Sequence, residues 1–322
     1  MTAIKKLQVD ARRTDPRKEL VEMIDHQRPQ IRDGRRVWFA DDSKLWYVSS
    51  QQAKAYLSID SSKAYKKGMH NAEHDAIQLN MPRIIARMAP ELYLFDLGCG
   101  TAMMTIKITK QAEDAGKKVG LVLVDLSLPI LNVAVRNAKR AGIHDIRRVQ
   151  KDFQKDMNGI VGTVEGTTQK LLNLGANFVN FDSDEILSTM SSVMREGDLV
   201  YFSAQINTKQ NIAGIVQQYR SKAIERMVEG ELSYLGFGLA DLKYDTRFNL
   251  KTNRVECYCE VKAIPESIKT EKLRVGDEIV GITSFKPTLK QLERIVSRYF
   301  DGEFLSNSTG SYIGFIGTLK RV

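Results

Sequence analysis

Residues Leu92 to Ala102 read Leu-Tyr-Leu-Phe-Asp-Leu-Gly-Cys-Gly-Thr-Ala, and no other stretch restricts the fold as tightly. The apolar and aromatic residues Leu92 to Phe95 lead into Asp96. Gly98 and Gly100 then flank Cys99, and a helical-looking run follows from Ala102 to Ala115. That order is a buried strand, a tight turn and a helix start. Glycine has no Cβ to hold a ligand away from the main chain. The helix start behind the turn offers N–H groups without an intrahelical partner. Together these mark the ligand-side corner of a doubly wound α/β sheet.

The remainder of the chain fits that corner. At 322 residues with 43% hydrophobic content, the chain can bury one large core or two moderate ones. Three cysteines argue against a disulfide framework and suit a reducing compartment. No run of apolar residues is long enough to span a membrane. Met1 to Asp25 lacks the apolar core of a signal peptide, so a cytoplasmic location is expected. The formal charge of +9 raises nucleic acid as a partner. The basic pairs Arg12-Arg13, Arg17-Lys18 and Arg35-Arg36 are interrupted by Asp10, Asp15, Glu19 and Asp33, so this partner is not favoured.

Asp15-Pro16 reads as the cap and first residue of a helix over Arg17 to Gln27. Trp38 and Trp46 look like buried anchors on either side of a turn at Asp41-Asp42-Ser43. His70 to Ala89 has helical periodicity. Strands are expected at Val119 to Val124, Ile146 to Val149, Leu171 to Leu174 and Leu199 to Ser203. Helices are expected at Leu128 to Ala141 and Ser183 to Arg195. Beyond Asn211 a helix is expected over Ile212 to Val228, then antiparallel strand within Leu242 to Lys262, and a last strand at Tyr312 to Leu319.

Alone, Gly98 and Gly100 are a weak signal, because the third glycine of a dinucleotide-binding turn is replaced by Met103. Two further acids strengthen it. Asp125, in Val124-Asp-Leu-Ser127, stands where an acid can accept both hydroxyls of a ribose, although it could also cap the next helix. Asp152 could accept from an adenine amino group, with Phe153 against the ring. An acid at the glycine turn repels phosphate and suits a cation such as the ammonium of a methionine moiety. The cofactor that combines adenosine with that group is S-adenosylmethionine (SAM).

These blocks, with Leu174-Gly-Ala-Asn-Phe-Val-Asn-Phe181 and Gly276-Asp-Glu-Ile…Thr283-Ser-Phe-Lys286, resemble the histidine-specific methyltransferase family. That family makes trimethylhistidine for ergothioneine, and fungal relatives methylate a prenylated tryptophan. The resemblance runs from about residue 90 to the C-terminus. It implies a Rossmann-like class I methyltransferase sheet with a second, substrate-covering α+β region. The expected boundaries are 85–210 plus 285–322 for the SAM domain, and 1–84 plus 211–284 for the cap. Asp96, Gly98, Gly100, Asp125, Ser127, Asp152, Phe153 and Gly175 would hold the cofactor. Asn180 matches an asparagine that holds an amino acid's carboxylate and amine, Tyr219 a tyrosine that clamps the carboxylate, and Ser284 a serine in the side-chain pocket. Each has a plainer alternative: Asn180 as a cap for the helix near Ser183, Tyr219 as a half-buried helix residue, Ser284 as a strand or turn hydroxyl.

The family's imidazole-reading glutamate is replaced by Ile282, Val179 stands where the family has glycine, and the N-terminal Tyr-Tyr signature gives way to Tyr65-Lys-Lys-Gly68. An apolar side chain cannot accept from a ring N–H, and an unpaired buried donor costs about 1–3 kcal/mol. Histidine is therefore not expected as acceptor, and the resemblance implies N-methylation of a small amine or amino-acid-like molecule. The alternatives are a methyltransferase acting on RNA or protein, and a catalytically silent SAM-fold scaffold. His70-Asn-Ala-Glu73-His74 matches a zinc-peptidase pattern but lacks further ligands and reads as accidental. Cys257 and Cys259 read as core residues, Cys99 as packing in the turn, and Lys107 and Lys110 as solvated helix charges.

Overall fold

The structure, a computed structural model, describes residues 15–47, 49–61, 71–164, 166–268 and 272–320. The chain divides into two compact units. One takes in Lys66–Thr208 and Pro287–Val322, the other Arg12–Tyr65 and Lys209–Lys286. The second-named unit opens with α1 (Pro16–His26), β1 (Gln30–Arg32), β2 (Arg35–Phe39) and α2 (Ser50–Ser61). The sheet unit follows with α3 (Asn71–Ala86), β3 (Glu91–Leu97), α4 (Met103–Asp114), β4 (Lys118–Asp125), α5 (Leu128–Arg140), β5 (Ile146–Gln150), α6 (Met157–Val161), β6 (Gln169–Gly175), α7 (Ser183–Val193) and β7 (Leu199–Gln205). The chain then adds α8 (Ile212–Tyr219), α9 (Lys222–Leu232), β8 (Leu242–Asn249), β9 (Arg254–Val261) and β10 (Glu278–Phe285) to the other unit. It ends in the sheet unit with α10 (Leu289–Val296), β11 (Phe300–Ser306) and β12 (Tyr312–Leu319).

The sheet unit is the doubly wound α/β fold expected from the glycine turn. Its seven strands run β11-β12-β7-β6-β3-β4-β5. The five strands from β3 to β7 are parallel, and β12 closes antiparallel on β7 with β11 beyond it. Every residue of β4 after Lys118, and all of β7, is buried, because helices cover both faces. One face is held by aromatic rings: Phe202 stacks on Phe178 at 4.4 Å and on Phe315 at 5.3 Å between centroids. β3 and β6 lie side by side at the centre, so the crevice at their carboxyl ends is where a ligand sits in such sheets.

The other unit is a five-stranded sheet, β1-β2-β10-β9-β8, with β10 parallel to β2 and the remaining pairs antiparallel. Both tryptophans are anchors within it: Trp38 donates to Asp277 Oδ2 at 2.8 Å and Trp46 to Gly281 O at 2.9 Å. Asp15 caps α1 as its position before Pro16 requires, accepting from Arg17 N–H at 3.1 Å.

Three readings change. The helix expected over Ile212 to Val228 is two helices, because Ser221 caps a new start at Lys222 by accepting the Ile224 N–H at 3.3 Å. The stretch Leu242 to Lys262 is a hairpin, turned at residues 250–253 with Asn253 at φ +50°. The segments Glu278–Phe285 and Phe300–Ser306 are further strands that the pattern did not single out.

Phe202→Ala should lower stability by about 3–5 kcal/mol, since it leaves a cavity between two stacked rings. Urea denaturation measures this, and a loss below about 1 kcal/mol would mean that the ring stack does not hold the sheet.

Candidate active site

The site is built on the turn between β3 and α4. Gly98 N–H and Cys99 N–H both donate to Val124 O at 2.9 Å, which ties the turn to the end of the neighbouring strand. Gly98 adopts φ +73°. A Cβ there would fall 2.6 Å from Asn177 Nδ2 and 3.4 Å from the Phe153 ring, in a backbone conformation that favours glycine. Asn177 donates to Gly98 O at 2.6 Å and supports the turn from the segment after β6. Sequence reasoning had assigned Asn177 no role.

The three acids stand at or just past the carboxyl ends of the adjacent strands β3, β4 and β5. Asp125 accepts from Ser127 N–H at 2.8 Å and from Gly100 N–H at 3.3 Å. Ser127 is the cap residue of α5, and its own side chain makes no cap bond. Burial pushes the Asp125 carboxyl up to about 6 against the pull of those N–H groups. Asp96 is 6% exposed and accepts from Asn173 Nδ2 at 3.2 Å. Burial pushes it up to about 7; the hydrogen bond from Thr105 opposes the rise, and the charges of Asp125 and Glu73 add to it. Asp152 lies two residues beyond β5, partly exposed, and accepts from Gln154 N–H at 3.0 Å. Phe153 packs edge-on against Phe181 at 5.4 Å.

Gly175 ends β6 at φ +48°, and a short 3-10 turn over Ala176–Asn180 follows. Asn180 does not cap the next helix. Asp182 does, accepting from the N–H groups of Asp184 and Glu185 at 3.0 Å.

In the other unit, Tyr219 and Ser284 meet. Tyr219 is buried at the end of α8, and its Oη donates to Ser284 Oγ at 2.9 Å. Lys286, fully buried, donates to the same Oγ at 3.1 Å and lies 5.2 Å from the Tyr219 ring centroid. Both lone pairs of the serine are thereby occupied, and its O–H remains to donate elsewhere. Ile282 is 6% exposed within the apolar core of this unit.

The remaining motifs stay structural. Cys257 and Cys259 are buried in that core and Cys99 in the glycine turn. His74 contacts Lys107, and Lys110 pairs with Glu113 at 2.8 Å on the surface of α4. His70 lies outside the described residues. Among the described residues, no cluster of three or more His, Cys, Asp or Glu could hold a metal, and no helix is long and apolar enough to cross a membrane.

A family model described as histidine-specific methyltransferase, SAM-dependent, matches residues 58–300. No curated protein matches the chain. Among solved structures, a protein of Pyrococcus horikoshii OT3 is 14% identical, over 84% of this chain and 100% of its own, with a TM-score of 0.49. A methyltransferase described as putative, from Thermobifida fusca, is 10% identical over 84% and 94%, with a TM-score of 0.47. The magnesium protoporphyrin IX methyltransferase of Synechocystis PCC 6803, solved with SAH, is 10% identical over 84% and 95%, with a TM-score of 0.44.

A carboxyl held near 7 in the folded chain and at its ordinary 3.8 when unfolded weakens folding as pH rises between those values. The uncharged Asp96→Asn escapes that loss. The Tm of the variant relative to the native protein should therefore rise from about pH 5 to about pH 7 and level off above it. A constant difference across that range would show that Asp96 is not shifted.

Proposed function

The chain belongs to the histidine-specific, SAM-dependent methyltransferase family, and we propose that it N-methylates a small amine or amino-acid-like acceptor other than histidine. It is an enzyme, and its cofactor is S-adenosylmethionine. The crevice fits that cofactor. The turn runs through left-handed backbone at Gly98 and Gly100, which favours glycine, and the buried Asp125 at the next strand end suits a ribose. In this reading Gly98 and Gly100 take the close contact, Asp125 and Ser127 the ribose, and Asp152 and Phe153 the adenine. Asp96 and Gly175 serve the methionine end.

When bound, the cofactor supplies an activated methyl group on a positively charged sulfur. The protein's task is alignment. An amine acceptor must present a free lone pair, so it binds neutral or loses its proton before transfer. By the family resemblance, Asn180, Tyr219 and Ser284 are the residues proposed to orient an acceptor.

The observation that carries the acceptor class is the Tyr219–Ser284–Lys286 cluster. A buried ammonium and an uncommitted hydroxyl hydrogen both seek an anion, and a carboxylate supplies one. Ile282 supports the exclusion of histidine, because it offers no acceptor for a ring N–H.

Incubation with methyl-labelled SAM and a panel of amino acids, amines, peptides and total RNA tests this. Label should enter a small amine or amino acid and leave histidine untouched. Labelled histidine, or label confined to RNA or peptide, would overturn it. For the acceptor so found, Ser284→Ala should raise KM by on the order of tenfold with a smaller change in kcat, as expected for one lost hydrogen bond to a charged group.

A further inference from the structure

Glu73 lies in the first turn of α3, inside the sheet unit and partly exposed. Its Oε1 accepts from Ser203 Oγ at 2.9 Å. Ser203 has one hydrogen and gives it to Glu73, so the 3.2 Å contact between Ser203 and Tyr312 is donated by the tyrosine. A Tyr312–Ser203 relay thus fixes this carboxylate. The same oxygen stands 3.6 Å from the place a Cβ on Gly175 would occupy, and Asn173 Oδ1 stands 3.8 Å from it. Both oxygens border the space that the missing side chain leaves at the end of β6.

The orientation of Asn173 is settled by its neighbours. Its Nδ2 donates to Asp96 Oδ1 at 3.2 Å and to Thr105 Oγ1 at 3.0 Å. Its Oδ1 therefore faces the Gly175 side, where it accepts the Gly175 N–H at 2.9 Å. One lone pair of that oxygen remains. Asp96 is turned to the amide and buried, so it acts as a positioning residue. The buried Tyr201 hydroxyl, two residues before Ser203, makes no hydrogen bond and feels the negative charge of Glu73. A carboxylate and an amide oxygen, both beside a glycine, suit a compact cation that donates hydrogen bonds.

We propose that Glu73, with Asn173 Oδ1 at Gly175, receives the ammonium of the methionine end of the cofactor, an assignment that rests on the SAM reading. The charge comes from Glu73, and Asp96 holds the amide oxygen in place.

Calorimetric titration with three probes tests it: SAM, decarboxylated SAM, which keeps the amine, and 5′-methylthioadenosine, which lacks the amino-acid end. Glu73→Gln should weaken SAM and decarboxylated SAM alike, by about 10- to 100-fold, and leave methylthioadenosine unchanged. Ser203→Ala should show the same pattern with a smaller loss, which guards against a folding defect in the first variant. Unchanged SAM affinity, equal losses for all three probes, or a loss confined to SAM would each overturn the proposal. A native protein that binds none of the probes would overturn the SAM reading itself.

Discussion

One peptide carbonyl organises the cofactor side of this protein. Val124 O takes the N–H groups of both Gly98 and Cys99, and so joins the turn after β3 to the end of β4. The turn tied by those two bonds is left-handed at Gly98 and Gly100, and Ala102 follows at φ +59°. A non-glycine residue there is strained, and such strain concentrates at functional turns. It also brings Gly100 N–H to Asp125, so the second strand's acid is positioned by the first strand's turn. The bend, the acid and the start of α4 form one cooperative piece.

The other unit is organised by charge. Glu256 and Glu278, both nearly buried, face Arg32, Arg35 and Arg247 across the five-stranded sheet. The three arginines draw on three strands, which argues for register more than for stability, because buried pairs return little net energy. In the same sheet, β10 carries Ser284, bonded to Tyr219 and Lys286. A polar cluster in an apolar core is costly unless each member is satisfied. The donors of Ser284 and Lys286 that the cluster does not use are the basis for proposing it as a recognition element.

Much of this was legible in the sequence. The cap at Asp15, the strand ends at Asp96 and Asp125, and the last strand over Tyr312–Leu319 follow from local pattern and turn chemistry. What escaped was set by distant partners. The break at Arg220-Ser221 is invisible because apolar residues continue across it at Tyr219 and Ile224, and one serine hydroxyl decides it. Asn173, Asn177 and Glu73 gained their roles through hydrogen bonds to Asp96, Gly98 and Ser203, far away in the chain. No periodicity encodes such pairs. Glu73 even sat inside a metal-like motif, and its neighbour His74 turned to Lys107 instead.

We propose that the glycine turn and the buried Asp125 together accept an adenosine with a sulfonium tail. Calorimetric titration of SAM into the native protein and into Asp125→Ala tests this most directly. The native chain should bind one SAM, and the variant should keep its fold by circular dichroism while losing about 10- to 100-fold in affinity. Equal affinity in the two proteins would contradict the placement of the cofactor at this rim.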